Sequence, residues 1–252
     1  MSDSSSRVEV LPAPGILPIF RRRPEEIPND EPEPVASPKW LVNESNKKDA
    51  KPLTPAVAET LYLTSSHTPQ EIARVGILLA STGLPIPAVN TVLDQAGCVL
   101  VYDSETAANE GEYAPADVEY LRFTVPSVGH TALEARCIAL VLECTSHDQG
   151  WASETQELNG TFNGCYSWVE YQVAAPDGTL TVPRTVACLN MRADSNFRHY
   201  VQYVTDAAVL AALTPGATVS LHLRAEFGGW ANYARYGRIA VVYAAGLSED
   251  SM

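Results

Sequence analysis

The chain has 252 residues, 46% of them hydrophobic, which is enough for one or two domains with a real apolar core. Its net charge is −13, and the imbalance lies in residues 56–252, where 9 basic residues face 21 acidic ones. So acidic a surface excludes broad binding to nucleic acid or to anionic membrane, and no run approaches the roughly 20 apolar residues of a membrane span.

Residues 1–55 hold ten of the eighteen prolines and all four lysines. Proline removes a backbone donor and fixes φ, so PEEIPNDEPEPVASP forms neither helix nor central strand, and a disordered Pro-rich tail is expected. Arg21-Arg22-Arg23 is a short basic run flanked by acids. The first apolar stretch, VLPAPGILPIF, is broken by three prolines and does not read as a secretory signal. Five cysteines (Cys98, Cys137, Cys144, Cys165, Cys188) form no C-x-x-C pair. A reduced, intracellular protein, cytoplasmic or nuclear, is the resulting expectation.

Residues 56–98 read as a helical segment. A helix is expected at about 55–65. Thr68-Pro69-Gln70-Glu71 is a capping box with proline at the first helical position, followed by Ile72, Val75, Leu78 and Leu79 at helical spacing, with Gly83 as the stop. Pro87 opens a further helix with Val89, Val92, Leu93 and Ala96 on one side, ended by Gly97. Residues 99–118 include DSETAANEGEYAPAD, acidic and without periodicity, and are expected to be a linker.

From 119 to 246 the pattern changes to period two. Ile138, Leu140, Leu142 and Cys144 share one face, as do Val219, Leu221, Leu223, Ala225 and Phe227, opposite Ser220, His222, Arg224 and Glu226. Pro176-Asp177-Gly178 separates two alternating runs as a hairpin turn, Thr214-Pro215-Gly216 is a turn, and Asp206 caps a short helix. The fold class is therefore mainly β: an antiparallel β-sandwich preceded by a small helical segment and a disordered N-terminal tail.

Ser146, His147 and Asp148 stand side by side before Gly150-Trp151. Neighbours on an extended chain point to opposite faces, so the three do not make a catalytic row by adjacency. No nucleophile elbow, H-E-x-x-H, P-loop or G-x-G-x-x-G is present, so neither a catalytic residue nor a cofactor is assigned. A hydrolase or transferase using His147 or His199 with an acid or thiol stays open. Asp148, Glu154, Glu157 and Asn159 are oxygen donors, but at no calcium-loop spacing, and no metal is assigned. Gly150 suits a sharp turn, Asp148 suits capping of its donors, and Trp151 suits burial as an anchor. Trp151, Trp168 and Trp230 also lie near Asp148, Glu170, and Asn232 with Arg235. Such pairing fits an ordinary core with polar edges. It also fits recognition of sugar, peptide or anion, which makes His147, Asp148, Trp151, Trp168, Trp230, Asn232 and Arg235 the ligand-binding candidates.

Three stretches in combination resemble a known domain: SHDQGW (146–151), GTFNGCYSW (160–168) and LTPGATVSLHLRAEFGGWANYARYGRIAVVY (213–243). They are similar to a β-sandwich domain of fungal proteins found at the end of some ankyrin-repeat chains. The resemblance covers about half the chain and implies a jelly-roll-like sandwich with an interaction role, without catalytic residues to transfer. Ala217 departs from it where L-x-P-G-D has an acid, and Gly228 where P-G-W has proline. No ankyrin repeat is present. The expected function is a non-enzymatic binding or scaffolding module that engages a protein or glycan through loops at one sandwich edge. Structural self-assembly as a homo-oligomer is the alternative from another class.

Overall fold

The computed structural model describes residues 67–249. The tail expected over 1–55 and the helix expected at 55–65 lie outside the described residues. Two helices come first, α1 (Pro69–Ser81) and α2 (Ile86–Gln95). The capping box forms as its residue types require: Thr68 Oγ1 accepts from the Glu71 amide, and the Glu71 carboxylate accepts from the Thr68 amide at 2.7 Å.

Nine strands follow: β1 (Val99–Thr106), β2 (Glu110–Tyr113), β3 (Ala116–Thr124), β4 (Leu133–His147), β5 (Ser167–Ala174), β6 (Leu180–Leu189), β7 (Arg198–Val204), β8 (Thr218–Ala225) and β9 (Ala231–Leu247). A short helix, α3 (Ala207–Ala212), precedes β8 and is capped by Asp206 as expected. One sheet has the order β1-β9-β4-β7, with β2 also paired to β9; the other has the order β3-β8-β5-β6. All pairings are antiparallel, and the chain crosses repeatedly between the sheets, which is the wiring of a jelly roll. The core lies between the sheets, with Leu140, Leu142, Val169, Val173, Leu221, Leu223, Ile239 and Val241 buried in it.

Three local expectations are corrected. The stretch 99–118 is β1, β2 and the start of β3 rather than a linker. Its period is masked because Asp103 and Glu105 sit on the outward face of β1, where Asp103 pairs with Arg238 and Glu105 accepts from Tyr236. A bulge between Cys137 and Ala139 sends Ile138 out of the face it was assigned with Leu140 and Leu142. Phe227 does not continue the buried face of β8, because that strand ends at Ala225.

The helices share the sandwich core through Ile72, Val89 and Leu93. Asn90 fixes their position: its Nδ2 donates to the Leu247 carbonyl at 3.1 Å and its Oδ1 accepts the Leu247 amide at 2.7 Å. They therefore close the end of the molecule where β9 finishes. The opposite end is made of the β4–β5, β6–β7 and β8–β9 loops.

Candidate functional site

That loop end gathers six of the seven predicted binding residues. Asp148 is wholly buried there and fixes the turn: Oδ1 accepts the Gly150 amide and Oδ2 accepts the Ala193 amide, each at 2.7 Å. Burial pushes its carboxyl up to about 6 despite these bonds, since the charged form is poorly solvated there. Gly150 has φ 82, and a Cβ on it would stand 2.8 Å from the Ser195 Cβ, so the turn requires glycine.

Beneath the turn lies a closed polar network. Ser146 donates to Asn190 Oδ1 at 2.7 Å, and Asn190 Nδ2 donates to Ser167 Oγ and Asn232 Oδ1, each at 3.0 Å. Asn232 Nδ2 donates in turn to the Trp168 and Arg224 carbonyls. The network ties β4, β5, β8 and β9 across the sandwich, so Asn232 and Asp148 are engaged internally and present no free polar group to a ligand.

His147 stacks on Tyr233 with ring centroids 4.9 Å apart and meets Phe197 edge-on at 4.3 Å. Arg235 lies over the Phe197 ring at 4.3 Å. Burial lowers the His147 pKa, favouring the neutral ring.

Trp151 is 58% exposed and so is not the buried anchor expected; its ring reaches over Gly229. Phe227, equally exposed at 58%, and Tyr166, at 39%, stand at the same end. Tyr166 meets Phe227 edge-on at 4.8 Å and Trp230 edge-on at 5.3 Å. The Arg192 guanidinium lies 5.6 Å from the Trp230 ring centre. Its nitrogens donate to Asn159 Oδ1 at 3.1 Å, to the Gly164 carbonyl at 2.7 Å and to the Glu154 carbonyl, clipping the long β4–β5 loop beneath the rings. Phe227 has φ 65, and the other non-glycine residues of positive φ among those described, Thr155 and Ala193, also belong to loops of this end. A bulky residue in that region costs about 1–2 kcal/mol.

Trp168 is elsewhere. Its ring lies on the outer face of the second sheet, where Nε1 donates to Glu170 at 2.8 Å and Arg224 covers it at 5.5 Å. Asp117 there joins Arg184 and Arg224, each at 2.9 Å.

The catalytic candidates have the following surroundings. His199 Nδ1 lies 2.9 Å from Thr145 Oγ1 and its Nε2 lies 3.2 Å from Glu143, but Thr145 is buried. Burial pushes the Cys165 thiol up to about 11, which suppresses the nucleophilic thiolate. Of the oxygen donors considered for calcium, Asp148 is engaged by backbone amides and Asn159 by Arg192. Among the described residues no three His, Cys, Asp or Glu side chains come together as a metal site. A small cavity beside Cys144, Cys188 and Tyr200 measures about 10 Å³, room for a water at most.

Sequence reasoning missed Phe227, Tyr166, Arg192, Asn190 and Tyr233. The pair Gly228-Gly229 was the available signal, because it ends the β8 alternation one residue after Phe227.

No family model matches the chain, and no curated protein matches it. Solved structures with some likeness include the infectious bursal disease virus VP2 subviral particle, 14% identical over 57% of this chain and 32% of that one, with a TM-score of 0.33. Another is that of the same virus, Gx strain, at 13% identity, 57% and 32% coverage, and a TM-score of 0.34. Dimeric latent PorU from Porphyromonas gingivalis is 11% identical over 57% of this chain and 12% of that one, with a TM-score of 0.26. The chain thus spans about a third of the length of the viral chains. Likeness at this level carries no functional assignment.

Proposed function

We propose that the protein is a non-enzymatic binding module that recognises a protein or glycan partner through the loop end of its jelly roll. The observation that carries this reading is the exposed aromatic cluster of Trp151, Phe227 and Tyr166 beside Trp230, with one of its rings held by a strained backbone. Aromatic faces give large contact area at low entropic cost, and buried Arg192 supports the Trp230 ring from within. The interaction role implied by the resemblance of 146–151, 160–168 and 213–243 agrees with it.

The test is full-length protein applied to a glycan array and, separately, used for capture from native extract. A Trp151→Ala/Phe227→Ala protein with unchanged circular dichroism serves as the comparison. Retention of a defined glycan or protein that falls at least tenfold in the double variant supports the reading. Equal retention by both proteins places binding elsewhere and contradicts it. Retention of further copies of the chain alone favours the self-assembly alternative.

A further inference from the structure

Two buried thiols face each other across the sandwich. Cys144 points inward from β4 in the five-stranded sheet, and Cys188 points inward from β6 in the four-stranded sheet. Both are buried, and both line the small cavity beside Tyr200. Their side chains hydrogen-bond to each other, and all five cysteines are free thiols in this structure. Cys137 and Cys165 are engaged elsewhere, with the Ala139 carbonyl and with Ser167.

The neighbouring residues show how near the two strands come. Two positions further along each, Ser146 Oγ donates to Asn190 Oδ1 at 2.7 Å. A serine hydroxyl stands directly on Cβ, so this bond forms only where the two backbones are close. Ser146 also hydrogen-bonds to the Cys188 thiol. Packed sheets ordinarily stand roughly 10 Å apart, so these two converge here, at the base of the polar network of the loop end.

We propose that Cys144 and Cys188 are a disulfide site: given a small-molecule disulfide such as oxidised glutathione, they close a bond that joins the two sheets. One cysteine thiolate attacks the oxidant and displaces a glutathione thiolate. The second attacks the cysteine sulfur of the mixed disulfide and displaces the other glutathione. Two thiols are oxidised to one disulfide, the glutathione disulfide is reduced to two glutathiones, and the two thiol protons pass to them. A glutathione adduct does not fit a cavity with room for a water at most, so the exchange precedes closure of the sandwich. In the closed molecule the hydrogen bond with Cys144 and burial push the Cys188 thiol well above its ordinary value, which keeps an unoxidised pair inert. A link between strands so far apart in sequence restricts the unfolded chain strongly, and it clamps the base of the loop end whatever that end binds.

The experiment unfolds full-length protein in urea with reductant and refolds it by dilution into oxidised and reduced glutathione. Free thiols are then alkylated, and linked peptides are mapped by mass spectrometry. The expected result is one link, Cys144 to Cys188, with Cys98, Cys137 and Cys165 alkylated. The linked protein should unfold at a urea midpoint about 1 M above that of the same preparation reduced. Folded, reduced protein held in the same mixture should gain the link at least tenfold more slowly than the refolding chain. Alkylation of all five cysteines after refolding would overturn the proposal. So would links through the other cysteines, or a Cys144–Cys188 link that lowers the midpoint, since the bond would then distort the sandwich rather than fit it.

Discussion

Asp148 and Glu143 are two buried carboxylates with opposite consequences. Burial raises Asp148 to about 6, so its proton is held more tightly in the folded state, and its stabilising contribution is lost as pH rises through that value. Burial also works against Glu143, but His199 and Arg238 outweigh it and hold the group down to about 2. Its contribution is therefore present at neutral pH and lost as pH falls from about 4.5 toward 2. Urea unfolding against pH checks both signs. The advantage of wild type over Asp148→Asn should shrink between pH 4 and 6.5, and that over Glu143→Gln should shrink below pH 4.5. Gly150 is the second residue, after Asp148, on which the loop-end turn depends. Gly150→Ala adds a Cβ 2.8 Å from Ser195 at φ 82, and should cost about 1–3 kcal/mol by the same unfolding assay.

At the level of elements, the helix pair that shares the sandwich core is also tied to it by one side chain that imitates a strand. Asn90 offers β9 the donor and acceptor that a neighbouring strand would offer at Leu247. Gly246 leaves room for it, since a Cβ there would stand 2.8 Å from the Asn90 side chain. Asn90→Ala should lower the unfolding free energy by about 1–3 kcal/mol, seen as a shifted urea midpoint. Elements of this kind were readable where local chemistry decides them. The Thr68 box, the Asp206 cap and the Pro176-Asp177-Gly178 hairpin each carry their own hydrogen-bonding instructions. β1 and β2 were not readable, because Asp103 and Glu105 find partners across strands far away in sequence. The same is true of the loop end. The local run from Ser146 to Trp151 gave the turn and the role of Asp148, whereas the exposure of Trp151 and the clip made by Arg192 depend on three loops meeting.

For the whole molecule, the two ends of the jelly roll differ in chemistry. The helix end is apolar and continuous with the core. The loop end seals the sandwich with a polar network and then carries exposed aromatic rings, of which Phe227 stands on strained backbone. Under the proposed binding function, the strain at Phe227 serves recognition rather than the fold. Phe227 tests it most directly, because glycine adopts φ 65 without the Cβ penalty. Urea unfolding of Phe227→Gly, run alongside capture on the same preparation, is the measurement to make. The account predicts a protein about 1 kcal/mol more stable that retains at least tenfold less partner. A protein more than 1 kcal/mol less stable that captures as well as wild type would contradict it, and would make Phe227 a residue of the fold alone.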